Sequence, residues 1–184
     1  MRLVLTQYSG AVVLVAVLVI LFGLYLSWTA TRLDRLHVRL DAARVALDAQ
    51  LLRRSTAVLE LARSGLLDPA TALILASGAR AAEIAAEDER EAAESALTRD
   101  VRAAFEDPAQ GEHVRAHPDG PELLDELGRG MRRVQLARRF HNESVRAVRQ
   151  LRGHRLVRAF RLAGRAPNKP SFEIDDEPPV AFAR

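Results

Sequence analysis

No cysteine occurs in the 184 residues, which excludes a disulfide framework and thiolate-held metal. Aromatic residues make up only 5%, and apolar alternation of β-branched or aromatic type is too sparse to write strands. Lysine is almost missing as well, Lys169 standing alone against 26 arginines. There is no His-Glu-x-x-His, no glycine-rich phosphate loop and no nucleophile elbow. Nothing in the chain sets a base beside a nucleophile, so no catalytic activity and no cofactor are expected. What remains is a chain 48% hydrophobic, dominated by Ala, Leu, Val and Arg. Those residues favour helix, and the fold class that follows is all-α.

Residues 10–28 read G-A-V-V-L-V-A-V-L-V-I-L-F-G-L-Y-L-S-W, without an ionisable charge near neutral pH. About 20 apolar residues span a bilayer core as a helix. Tyr25 and Trp28 close the run, where amphipathic rings prefer the headgroup layer. A signal peptide wants small residues before its cut; Trp28 sits at the wrong place for a cut after Ala30, so an uncleaved anchor is expected. Residues 1–9 form a short leading segment. Only Arg2 and the amino terminus precede the span, whereas Arg32, Arg35, Arg39 and Arg44 follow it. The positive-inside rule therefore predicts a single-pass cell-membrane protein with its C-terminal domain in the cytoplasm.

The polar part starts without a breaker, so the membrane helix is expected to run on into the next one. Leu33, Leu36, Leu40, Ala43 and Leu47 alternate spacings of three and four, and Val58 and Leu61 resume the stripe after Gln50 and Arg54. Ser64-Gly65 reads as a helix stop, and Asp68-Pro69 as the next cap and first turn. A second helix is predicted over 69–107, with Leu73, Ile74, Ser77, Ala81, Ile84, Leu97, Val101 and Phe105 on its apolar face and a soft point at Ser77-Gly78. Residues 108–120 read as an irregular connector. A third helix over 121–163 carries Leu124, Leu127, Met131, Val134, Val145 and Val148. With the first soluble helix over 29–65, this predicts an antiparallel up-down-up bundle spanning 29–165. The proline-bearing tail 166–184 is expected to be flexible.

Charge is strongly partitioned. Residues 83–126 hold fourteen acidic side chains against four arginines, and residues 129–165 hold twelve arginines against Glu143 alone. An antiparallel fold would set the acidic residues 83–94 beside Arg132, Arg133, Arg138, Arg139 and Arg146.

The segment Val134-Gln-Leu-Ala-Arg-Arg-Phe-His-Asn-Glu-Ser-Val145 resembles the LemA family signature, roughly I-x-x-A-R-x-x-Y-N-x-x-V, with His141 in the tyrosine's place. Asp48-Ala-Gln-Leu-Leu-Arg-Arg54 is similar to that family's D-V-Q-L-K-R-R segment, and Phe172-Glu173 to its closing Phe-Glu. The family's second Tyr-Asn pair is replaced by Val148-Arg149, and the arginine-rich 149–165 has no counterpart in the common pattern. The resemblance spans nearly the whole chain and implies a membrane-anchored helical bundle without established catalysis.

The candidate interaction surface comprises Arg53, Arg54, Arg138, Arg139, His141, Asn142, Arg155, Arg158 and Arg161. The bland reading of each is a salt-bridging or solvated helix residue. His113 and His117 have the spacing of paired metal ligands on a helix, but Pro118 and nearby glycines point to a solvated connector. The expected function is protein interaction or scaffolding, with the bilayer holding residues 10–28 and an acidic protein, or a second copy, as partner. The alternative is binding of nucleic acid or anionic lipid through the arginine-rich last helix. Nucleic acid is disfavoured because aromatic stacking platforms are lacking. Lipid is disfavoured because an up-down-up bundle would carry residues 155–165 away from the membrane.

Overall fold

The structure, a computed structural model, describes residues 2–160 and 170–182, with side chains from Val12 onward. Six helices follow one another: α1 Arg2–Arg63, α2 Pro69–Ile84, α3 Arg90–Ala104, α4 Pro108–Ala116, α5 Gly120–Gly153 and α6 Arg155–Ala159. A 3-10 turn closes at Val180–Phe182. All regular structure among the described residues is thus helical. The chain divides into two compact units: unit 1 holds residues 1–41 and 144–169, unit 2 holds residues 42–143 and 170–184.

In unit 1, the large apolar side chains from Val12 to Trp28, Leu26 excepted, stay 42–67% exposed. A soluble core helix would bury them. Here α1 is the one helix among the described residues long and apolar enough to cross a membrane. The polar part of the unit packs through leucines: Leu40 against Val145 and Val148, and Leu33 against Leu151 and Val157, with Leu36 beside both clusters. Contacts therefore move back along α1 as the chain advances through α5 into α6. Phe160 carries the trend furthest, its ring meeting that of Phe22 edge-on at 5.3 Å. The expectation that residues 155–165 lie away from the apolar helix is overturned for the described part, 155–160. Residues 161–163, and the helix end predicted there, fall outside the described residues.

In unit 2, the predicted second helix is two helices. Ala85 leaves the helical region at ψ 136, and α3 starts five residues later. Glu87, Asp88 and Glu89 fill the break, where like charges disfavour continuation and acidic groups favour the start of the next helix. The larger reason is tertiary. Folding back as a hairpin brings Leu75, Ala79 and Ala82 of α2 onto the same core as Leu97, Val101 and Phe105 of α3, which one straight helix cannot do. Helix α2 runs on through Gly78, where an added Cβ would lie 2.8 Å from Asp100 Oδ2 and that carboxylate would have to turn aside.

The hairpin also corrects the predicted face of α2. Leu97, Val101 and Phe105 are buried as expected, but Leu73, Ile74 and Ile84 are 70%, 53% and 83% exposed, and Ser77 and Ala81 face out with them. Two competing stripes exist on this alanine-rich helix, and the smaller side chains take the interior.

Helix directions follow from cross-contacts. Arg44 meets Glu87, Asp48 meets Arg90 and Arg54 meets Thr98, so α1 and α3 run parallel. Gly130 faces Arg54, while Arg133, Leu136, Ala137 and Phe140 share a groove with Gln50, Ala46 and Ala43, so α5 runs against α1. The expected irregular connector contains helix α4 instead, capped by Asp107, whose carboxylate accepts from the Ala109 N–H at 2.9 Å. Gly120 then permits the reversal into α5; a Cβ would sit 1.7 Å from the Val114 carbonyl oxygen. Gly65, at φ 75, ends the first helix as its sequence context predicts.

Candidate functional site: a buried ion pair and a strapped groove in unit 2

Leu33, Leu40, Leu47 and Leu61 recur on α1 at multiples of seven, and the place between Leu47 and Leu61 belongs to Arg54. Helical geometry therefore forces this arginine inward, where it is 1% exposed. Its guanidinium donates to Thr98 Oγ1 at 2.9 Å, to the Glu94 carbonyl oxygen at 3.2 Å and to the Glu94 carboxylate. Thr98 in turn donates to the Glu94 carbonyl at 3.1 Å. Burial pushes the Glu94 carboxyl above its ordinary value, and the Arg54 charge pulls against that shift. Outside this pair, Asp48 lies 3.5 Å from both Arg44 and Arg90. The cluster fixes the register of α1 against α3.

The second feature is the tail. Expected to be flexible, residues 170–182 instead lie between α3 and α5, without regular structure as far as Pro179 and then in the closing 3-10 turn. Contacts advance along α3 and retreat along α5: Glu173 N–H donates to Glu91, Asp175 N–H donates to Ser95, and Arg102 donates to Asp175 and to the Glu177 carbonyl. On the other side Asn142 holds Phe172, Arg138 holds Asp176, and Arg132 donates to the Phe182 carbonyl.

The tail is tied by side chains that replace a neighbouring strand. Asn142 both accepts from the Phe172 N–H at 2.8 Å and donates to the Phe172 carbonyl at 3.1 Å. Arg138 grips the Asp176 carboxylate with two bonds, at 2.7 and 3.1 Å, the fork geometry guanidinium favours. Gln135 donates to the Asp176 carbonyl at 2.8 Å, and Arg115 to that of Ala181 at 3.0 Å. Two phenylalanines anchor the ends. Phe172 is buried with Leu47, Leu51 and Val134, the Arg44 guanidinium lying 5.6 Å from its ring. Phe182 joins the main core and meets Phe105 edge-on at 5.2 Å. Buried aromatic anchors outweigh low helical propensity.

This geometry redistributes the expected charge pairing. The acidic stretch does not meet the α5 arginines as predicted: Glu87 goes to Arg44 and Glu94 to Arg54, while Arg138 takes the tail's Asp176 and Glu173. Of the predicted surface residues, Arg53 and Arg139 are exposed, whereas Arg54, His141 and Asn142 are buried. Arg155 and Arg158 are exposed in unit 1, and Arg161 lies outside the described residues. His113 sits on α4, but His117 follows it with extended backbone at ψ 144, so the two do not form a helical pair. Glu94, Thr98, Asp175, Asp176 and Phe182 were missed. The arginine at a leucine position of the heptad and two lone phenylalanines in an aromatic-poor chain were the available signals.

The tail's attachment is expected to be acid-labile. The hydrogen bond from Arg102 holds the Asp175 carboxyl below its ordinary value of 3.8. A depressed carboxyl contributes stability that is complete above that value and is lost as pH falls through the folded one. A spin label on Val180→Cys, a position 91% exposed, should show rising mobility as pH drops below 3.8, and Asp175→Asn should show it at neutral pH. An unchanged line shape in both would reject this role.

Comparison of the chain with protein-family models, with curated proteins and with solved structures finds no match.

Proposed function

We propose that this chain is a non-enzymatic, single-pass, LemA-like membrane protein whose helical unit faces the cytoplasm and binds protein, its first partner being a second copy of itself. The exposed apolar helix supports the anchor. The LemA likeness draws support from where its three sequence segments lie. Arg54, Asn142 and Phe172 come from separate parts of the chain, and each is a buried fixture of unit 2.

The interaction reading rests on the outward face of α1. Ala42, Val45, Ala49, Leu52 and Thr56 are all exposed and alternate spacings of three and four. That is a second coiled-coil seam, opposite the one already used inside the unit. Counted as heptads, Asp48 and Arg53 take the flanking positions that meet across a parallel pair, whereas an antiparallel pair would oppose like charges. Two copies anchored in one membrane are parallel by construction. So short a seam gains most of its strength from the raised effective concentration of anchored partners.

The absence of native cysteine makes the test direct. Single cysteines at Ala49 and Leu52 should form disulfide-linked dimers in membranes, whereas Ile84→Cys on α2 should not. Adding Arg53→Asp should reduce the linkage severalfold. Equal yields at the three sites, or none at any, would reject the seam.

A further inference from the structure

Arg32, Arg155 and Arg158 of unit 1 lie toward the polar end of its apolar helix, and we infer that α6 and the end of α5 form a docking collar for anionic lipid headgroups. The inference rests on the anchor proposed above. Its first support is charge. Unit 1 holds twelve Arg and Lys residues against Asp34 and Asp41, a balance of +10, while unit 2 is net acidic at −7. A protein of modest total charge has its net positive excess in the part that carries the apolar helix, because acidic residues outnumber the arginines of unit 2.

The second support is depth. Leu33 packs with Leu151 and Val157, and Phe160 meets Phe22. Arg158, between Val157 and Phe160, therefore lies along α1 between the levels of Leu33 and Phe22, a stretch that contains Trp28, while Arg155, between Leu151 and Val157, lies near the level of Leu33. Phe22 precedes Trp28 by six residues, or roughly 9 Å of helix at 1.5 Å per residue. With Trp28 in the headgroup layer, the Phe160 ring reaches the upper hydrocarbon. That matches the depth of about 5–10 Å to which interfacial helices sink their apolar side.

The third support is chemistry. Val157 is buried against α1, whereas Arg155, Leu156, Arg158 and Phe160 are exposed. Two cations and two apolar side chains on one short element suit a headgroup–acyl boundary. Arg32 lies 5.7 Å from the Trp28 ring, adding a third guanidinium at that level. A polynucleotide would match the arginines but leave Leu156 and Phe160 in water. Guanidinium groups near an anionic membrane surface contribute about fivefold each in local binding, and the effect fades within a Debye length.

Trp28 is the single tryptophan, so it reports on its own lipid shell. The full chain would be placed in nanodiscs containing a minor fraction of brominated phosphatidylglycerol or brominated phosphatidylcholine. Brominated phosphatidylglycerol is expected to quench at least about fivefold more strongly. Arg155→Gln/Arg158→Gln should lower the ratio severalfold, and added salt should lower it in the parent. Both side chains are exposed, so Val157 packing is kept. Equal quenching in the parent protein would overturn the collar and leave the anchor standing. Quenching by neither lipid would overturn the anchor and the collar together. Equal quenching joined to binding of an RNA oligonucleotide that the double variant loses would assign the arginines to nucleic acid, and would also overturn the collar.

Discussion

Arg54→Leu is expected to destabilise unit 2 by about 3–5 kcal/mol, because it strands a buried carboxylate without its counter-charge. Glu94 is 1% exposed and its carboxylate is held by the Arg54 guanidinium. Removing that guanidinium also ends the bonds to Thr98 Oγ1 and to the Glu94 carbonyl. Leucine suits the site sterically, since Leu47 and Leu61 occupy the neighbouring turns of the same stripe. The loss is therefore electrostatic rather than a matter of packing.

The pH dependence identifies the cause. Burial already raises the Glu94 carboxyl above 4.5 against the pull of Arg54; without the arginine it rises further. A carboxyl whose folded pKa exceeds its unfolded one binds its proton more tightly in the folded state. Stability is then greatest below the unfolded value and falls as pH rises through the folded one. Urea unfolding of the detergent-solubilised variant should show a smaller deficit at acid pH than at neutral pH. Arg54→Leu/Glu94→Leu should recover most of the loss, since an apolar pair often replaces a buried ion pair without penalty. A loss that is equal at both pH values, or that persists in the double variant, would show that the pair does not carry the effect.

Phe172→Ala is expected to release the tail, at a cost of about 3–5 kcal/mol. The ring fills a cluster with Leu47, Leu51 and Val134, and truncation leaves a cavity in contact with two helices. The consequence is local. Residues 170–176 have no intrasegment helix or strand, so their backbone relies on Asn142, Ser95, Glu91 and Gln135 for partners. Once the anchor goes, those bonds exchange with water together. Limited proteolysis within residues 170–182 should accelerate by two orders of magnitude or more, since about 1.4 kcal/mol corresponds to tenfold in an opening equilibrium. The helical circular-dichroism signal should hardly change. Asn142→Ala should act in the same direction with a smaller effect, about 1–3 kcal/mol for the two backbone groups left unpaired. Cleavage of Phe172→Ala at the parental rate would show that the tail is held without this ring.

Helix content, the apolar span, the stop at Gly65 and the cap at Asp68 were legible from residue order, because propensity, hydropathy and capping act over a few neighbouring residues. The buried stripe of α5 was legible for the same reason: Leu124, Leu127, Met131 and Val134 recur at helical spacing and all lie inside. Helix α2 carries two apolar faces, and only the hairpin with α3 settled that Leu75, Ala79 and Ala82 go inside. The break at residues 85–89, the burial of Arg54 opposite Glu94 and the anchoring of the tail by Phe172 and Phe182 all depend on partners far along the chain, Leu47 lying 125 residues before Phe172. Sequence alone determined which segments could be helices and which one could enter a membrane. Tertiary structure decided which faces meet and which arginine is buried, since those outcomes depend on the total energy of competing packings and not on any local preference.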